Sequence, residues 1–200
     1  MESCTLESFL GDVKDHQVKI IRDDGVYRHV KFARPDSGIL AFELVTWPGH
    51  LCYTGDMGTY VFQRLEDMFQ FFRPHKLHKS WGGLGLNIEY LTEKCIAVDR
   101  QYGISEYSEE EARKEINDIL DDEEISEDTR AEVEGDVLWY VYDEQALRGA
   151  IEDFKSSNGF EFKDSSDFNF HVRPYHYLWA CYAISWGVLQ YDEAKARIES

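Results

Sequence analysis

The period of hydrophobic and polar positions changes several times along the chain, and each change marks an element. In the first ten residues Leu6, Phe9 and Leu10 share one side of a short helix. From His16 the period becomes two: Val18 and Ile20 alternate with His16 and Lys19, and Asp24-Gly25 supplies the positive-φ pair of a hairpin turn. A second strand, Val26 to Arg34, turns Val30 and Phe32 away from His29 and Lys31. Pro35-Asp36-Ser37-Gly38 makes the next turn, Ile39 to Trp47 a third strand, and Pro48-Gly49 breaks it. His50 to Thr54 and Thr59 to Phe62 read as further short strands around Gly55-Asp56-Met57-Gly58. Short strands between regular turns predict an antiparallel meander.

Helical spacing follows. Leu65, Met68, Phe69 and Phe72 recur one and two turns apart in Arg64 to Phe72, with Pro74 as the stop. Ser80 to Gly85 reads as a loop, and Asn87 to Val98 as a helix on the spacing of Ile88, Leu91, Cys95 and Val98. Ser108-Glu109-Glu110-Glu111 is a capping box, in which Ser108 accepts from the third amide of the helix and Glu111 reaches back. Behind it Ala112, Ile116, Ile119 and Leu120 form an apolar stripe, and Glu110, Glu111, Asp118, Asp121 and Asp122 fall on the opposite side. Ser126 caps a second helix with Val133, Val137, Leu138 and Val141. A third, Glu144 to Lys155, carries Leu147, Ile151 and Phe154, and Gly159 closes that stretch. Phe160 to Phe170 alternates aromatic and polar residues, as one or two short strands do. Pro174 opens a last helix to about Gln190, apolar on nearly every side and therefore central or covered by a partner.

These elements predict an α+β fold: an N-terminal antiparallel β-sheet of four or five strands packed with a mainly helical C-terminal half. Residues 1–200 are expected to form a single domain, divided into a meander plus helix (1–74), a connecting segment (75–104), acidic helices (105–158), and short strands with the apolar helix (159–200). A chain of this length buries about 70% of its unfolded surface and needs neither disulfide nor structural metal to fold.

Charge changes the picture. The chain has 21 Lys+Arg against 39 Asp+Glu, a formal net charge of −18. Residues 105–136 alone hold 15 acids and 3 bases, net −12, so two thirds of the excess lies in one short stretch. Direct non-specific binding to nucleic acid or to an anionic membrane needs a basic face, and this balance argues against both. It permits the opposite relation, binding to a basic protein. The N-terminus, Met1-Glu2-Ser3-Cys4-Thr5-Leu6-Glu7, has neither the basic nor the apolar region of a signal peptide. Tyr175 to Leu189, the most apolar run, is fifteen residues long. About 20 are needed to span a bilayer. Scattered Cys4, Cys52, Cys95 and Cys181 fit free thiols in a reducing cytoplasm.

Several constellations carry candidate chemistry. Carboxylates one or two turns apart on a helix lie about 5–11 Å apart. Successive phosphates of a DNA strand lie about 7 Å apart, so Glu110, Glu111, Asp118, Asp121 and Asp122 can imitate them to a basic groove. A solvated face looks the same in sequence, although repulsion among so many acids costs stability. His50 and Cys52 alternate to one strand face with Asp56 close in sequence, a set that a small hydrolase or a metal site would use. His75 with His78 and His171 with His176 are the other histidine pairs. No H-E-x-x-H or paired C-x-x-C is present, and Gly82-Gly83-Leu84-Gly85 lacks the Lys-Ser/Thr of a phosphate loop, so neither metal nor cofactor is expected. Trp139, Tyr140, Tyr142, Tyr175, Tyr177, Trp179, Tyr182 and Trp186 form a large aromatic set, expected to be core with some interface share.

The string Thr46-Trp47-Pro48-Gly49-His50-Leu51-Cys52-Tyr53-Thr54-Gly55-Asp56-Met57-Gly58-Thr59-Tyr60-Val61-Phe62, continuing Arg64 to Arg73, resembles an uncharacterised family of accessory proteins from bacteriophages, prophages and plasmids. With the preceding strands it covers about a quarter of the chain. No activity or catalytic residue comes with the resemblance. It implies a setting, a small protein of a mobile element that binds host defence machinery, as acidic anti-CRISPR and anti-restriction proteins do. The same residues also read as scaffold, with Pro48-Gly49, Gly55 and Gly58 setting turns and Asp56 satisfying turn amides.

The expected function is therefore a phage-type acidic binding protein in the host cytoplasm that inhibits a host nucleic-acid-handling complex by DNA mimicry. Its partner would be a basic host protein or nucleoprotein, with no direct nucleic acid and no membrane. One alternative is a cytosolic hydrolase using His50, Cys52 and Asp56, and enzyme activity is the less favoured class. Another is a phage assembly component, a homo-oligomer through the Tyr175–Leu189 helix.

Overall fold

A computed structural model describes residues 3–73, 84, 86–123 and 125–199, with Glu199 in backbone only. The chain forms two compact units: Met1–Ile104 with Arg173–Ser200, and Ser105–Val172. Pro74, His75, His78 and the expected Ser80–Gly85 loop, apart from Leu84, lie outside the described residues.

The first unit opens with α1 (Leu6–Val13), whose first turn is held by a reciprocal Thr5–Ser8 capping box. Strands β1 (Gln17–Asp24), β2 (Tyr27–Ala33), β3 (Phe42–Trp47), β4 (His50–Gly55) and β5 (Gly58–Gln63) then pair antiparallel in chain order. The first hairpin pairs Asp24 with Tyr27, so its two turn residues are Gly25 and Val26, with Gly25 at φ +60°. The third strand starts at Phe42 and not Ile39. Leu40 sits at φ +60°, and its N–H donates to the Asp56 carboxylate at 2.6 Å, which holds that residue out of the ladder.

Alternation along β2 to β5 sends Val30, Phe32, Phe42, Leu44, Leu51, Tyr53, Tyr60 and Phe62 to one buried face. His29, Lys31, Glu43, Val45, His50, Cys52 and Val61 take the other. Helix α2 (Met68–Phe72) is shorter than its periodicity predicts. Arg64 N–H donates to Gly49 O at 3.2 Å, and Gly49 N–H to Glu66 O at 3.0 Å, so the chain bends past the turn there in place of a helical turn, and Leu65 is exposed. Asp67 caps the helix through Phe69 N–H.

The helix expected over Asn87 to Val98 divides. Asn87 caps α3 (Ile88–Glu93), and β6 (Cys95–Ala97) then pairs with β5, making six strands where four or five were expected. Cys95-Ile96-Ala97 suits either state, and β5 offered an unpaired edge that β6 satisfies. The last helix, α7 (Tyr175–Glu199), runs past Gln190 because its polar end finds partners: Asp192 accepts two bonds from Arg73, at 2.7 and 2.8 Å, and Lys195 binds Asp23 at 2.9 Å. Its central residues Tyr177, Trp179, Cys181, Ile184 and Val188 are buried against the inner sheet face together with Phe9 and Phe69. No helix among the described residues is long and apolar enough to cross a membrane.

The second unit begins and ends in a short ladder, β7 (Glu106–Tyr107) with β8 (His171–Val172). Between them lie α4 (Glu109–Asp122), α5 (Glu127–Asp136), a 3-10 turn (Leu138–Tyr140), α6 (Glu144–Asp153) and a second 3-10 turn (Ser165–Asp167). Ala112, Ile116, Leu120, Val133, Val137, Leu138, Val141, Leu147, Ile151, Phe154 and Phe170 form its core. Phe160 to Phe170 is mostly irregular, not strand. Asp164 at φ +51° interrupts extension, and the rings pack edge to face instead, Phe160 on Phe162 at 5.2 Å and Phe162 on Phe168 at 6.1 Å.

Candidate functional site

Charge separates by unit. Residues 105–172 carry 22 acids and 6 bases, net −16, whereas the remaining residues carry 17 acids and 15 bases, net −2. Within the second unit α4 presents the densest acidic face, because its apolar stripe Ala112, Ile116 and Leu120 is buried and fixes the rotation of the helix.

All five carboxylates singled out from the sequence lie on that helix, and their partners divide them. Ser108 accepts from Glu111 N–H at 3.2 Å, the expected cap. The reciprocal half of the capping box is absent: Ser108 N–H donates to Phe170 O at 2.8 Å, so Glu111 turns to Lys114 at 3.3 Å instead. Asp121 pairs with Arg130 at 2.6 Å, while Arg130 also donates to Leu120 O at 2.8 Å. Among the described residues no salt bridge holds Glu110, Asp118 or Asp122, although Lys114, one turn before Asp118, feels its charge, and all three are exposed. Glu110 and Asp118 lie about 12 Å apart along the axis, Asp118 and Asp122 about 6 Å. Helix α5 adds exposed Glu127, Asp128 and Asp136, and Glu134 paired to Arg113 at 3.2 Å.

The same unit exposes aromatic rings. The 3-10 turn after α5 buries Leu138 and Val141 and turns outward Trp139, 70% exposed, and Tyr142, 65% exposed, with Tyr140 between them. Sequence periodicity placed Val137, Leu138 and Val141 on one helix and so missed this arrangement. The signal was the run Leu-Trp-Tyr-Val-Tyr, apolar at every position and so too rich for one helical stripe.

The His50, Cys52 and Asp56 set does not assemble. His50 and Cys52 do share the outer face of β4, but six residues of strand put His50 about 20 Å from Asp56. His50 donates through Nδ1 to Pro48 O at 2.9 Å and stacks on Trp47 at 5.1 Å, and Asp56 is committed to Leu40 N–H. Burial pushes all four cysteine thiols above their ordinary range, Cys4 and Cys95 to about 11, which leaves them protonated and weakly nucleophilic at neutral pH. His171 faces Glu144 at 3.3 Å, and His176 stacks on Tyr102 at 3.8 Å. Among the described residues no group of three or more His, Cys, Asp or Glu side chains converges as a metal site would require.

No family model, curated protein or solved structure matches the chain.

Proposed function

We propose that the chain is an acidic binding protein of the kind mobile elements direct against host nucleic-acid-handling complexes, with Ser105–Val172 as its engaging module in the host cytoplasm. The observation that carries this reading is the gathering of net −16 into residues 105–172, with Glu110, Asp118 and Asp122 exposed and outside the salt bridges of the described residues on one helix face. A charge that only kept the protein dispersed would gain nothing from being confined to one unit, where self-repulsion is greatest. Carboxylates about 6 and 12 Å apart bracket the phosphate spacing of about 7 Å that a nucleic-acid groove is built to receive. The resemblance of Thr46 to Phe62 to accessory proteins of phages and plasmids supplies the setting.

The test is competition. Purified anti-phage complexes of the RNA-guided and restriction classes bind labelled DNA in the presence of the wild-type protein or E110K/D118K/D122K, at low and high salt. The wild type is expected to displace DNA from one class at low salt and to lose potency as salt rises; the triple variant should lose it at every salt. Equal inhibition by the two proteins would refute the acidic face.

A further inference from the structure

We infer that the turn joining α5 to α6 anchors the same interface, with Trp139, Tyr140 and Tyr142 entering an apolar recess on a basic protein whose lysines and arginines meet the carboxylates around them. This rests on the proposed acidic binding function and adds to it the anchor and the partner's chemistry. Exposed rings of this size stand out. Trp139 and Tyr142 are the most exposed aromatic side chains described, on a unit whose other large apolar groups are packed. Among the described residues no ring stacks on any of the three and no guanidinium or ammonium covers them.

The backbone beneath them is tied down. Tyr140 N–H donates to Val137 O at 3.0 Å, Val141 N–H to Leu138 O at 3.2 Å and Asp143 N–H to Tyr140 O at 3.0 Å. From outside the turn the Tyr107 hydroxyl donates to Val141 O at 2.5 Å and Arg113 to Leu138 O at 3.4 Å. The rings are therefore presented by fixed backbone, and ordering them costs a partner little conformational entropy. Tyr and Trp are also the side chains that most often dominate interface energetics.

The rim decides the occupant. Asp143 and Glu144 directly follow Tyr142 in the chain, Glu109 acts with them on the Tyr107 hydroxyl that donates to Val141 O, and Glu134 reaches the turn through Arg113; with Arg113 on Glu134 and Arg148 on Glu144 at 2.9 Å, these four acids still exceed the two cations beside them. An apolar centre inside an acidic rim fits an apolar recess inside a basic one. A second copy docking through this turn would bring like carboxylates face to face across a two-fold axis, and an anionic bilayer would repel them too.

The test uses the full chain labelled with 5-fluorotryptophan and two synthetic helical peptides of equal Lys/Arg content. One has a leucine stripe between its basic flanks, the other glutamine in its place. The leucine peptide is expected to shift the Trp139 fluorine resonance, assigned with W139F, and the glutamine peptide to leave it in place. W139A/Y142A should weaken the leucine peptide about tenfold or more, with an unchanged melting temperature because both rings are exposed. An unmoved Trp139 resonance at saturation overturns the inference. So does wild-type affinity in W139A/Y142A; if E110K/D118K/D122K then loses binding, the acidic face survives without the anchor. Loss in W139A/Y142A with full binding by the α4 variant upholds the anchor and removes the acidic helix. Sedimentation showing a dimer that W139A/Y142A dissolves, with no peptide bound, would assign the turn to a second copy and overturn the proposal.

Discussion

Arg28 carries a permanent charge into the flank of the first unit's core, its side chain only 10% exposed, and its neighbours make that tolerable. Asp67 accepts two of its hydrogen bonds, at 2.8 and 3.1 Å, and the rings of Phe69 and Tyr191 lie 4.8 and 5.7 Å from the guanidinium. Burial raises the Asp67 pKa, and the hydrogen bonds and charge of Arg28 more than reverse it, so the carboxyl ends below its ordinary value. Asp23 behaves likewise: burial raises it, and hydrogen bonds from Lys195 and Tyr191 bring it down. Both folded values lie below the unfolded ones, so the stabilisation is complete above about pH 4 to 5 and fades as pH falls through the folded values. The urea midpoint should thus be level near neutrality and drop on the acid side. D67N keeps an oxygen for the α2 cap but leaves Arg28 only the more distant Asp23 carboxylate, at 3.8 Å, which should cost about 2 kcal/mol at pH 7 and shrink the acid limb to the part Asp23 supplies. A D67N protein with the wild-type midpoint at pH 7 would show the pair to be dispensable.

At the scale of elements, α7 lies close enough to the sheet to require a glycine. A Cβ on Gly187 would stand 3.0 Å from Leu44 Cδ1 and 3.1 Å from Phe32 Cζ. G187V should therefore cost about 1–3 kcal/mol through overpacking. For a chain of this size each kcal/mol lowers the melting temperature by about 2–4 °C. The near-ultraviolet signal of Trp179 and Trp186 reports on that packing, and an unaltered melt in G187V would mean the helix has room to move. The sequence showed that α7 had no polar side; only the structure shows which residue lets it approach. Turns and strands β1 to β5 were legible because alternation and Gly, Pro or Asp punctuation agreed locally. Strand β6 was not, because Ile88, Leu91, Cys95 and Val98 satisfy helical spacing, while the β5 edge that claims Cys95–Ala97 is remote in sequence. The same distinction divides the candidate site. The α4 carboxylates followed from helical geometry, but Arg130 on Asp121, and Phe170 on the Ser108 amide in place of Glu111, are contacts between elements.

At the scale of the molecule, the chain leaves the first unit after Ile104 and rejoins it at Arg173, and the two crossings are neighbours. Glu106 pairs with Val172, and Arg173 donates to Ile104 O at 3.0 Å while gripping Glu89. The two hydrophobic cores share no residue. Residues 105–172 thus have the form of an insertion whose removal leaves ends close together, and a short Gly-Ser linker should close the gap. The linked first unit, net −2, is expected to melt cooperatively with little response to salt. Residues 105–172 alone hold a small core and net −16, so self-repulsion should make them marginal at low salt and raise their melting temperature as salt screens it. Circular dichroism melts of both pieces across a salt series test this. A linked first unit without a cooperative transition would mean that its core depends on the insertion. A salt-indifferent second piece would mean that its carboxylates do not repel one another strongly enough to matter. The expected pair of results would instead identify the acidic unit as the part that gains stability when a basic partner supplies the counter-charge, because ligand and salt then relieve the same repulsion.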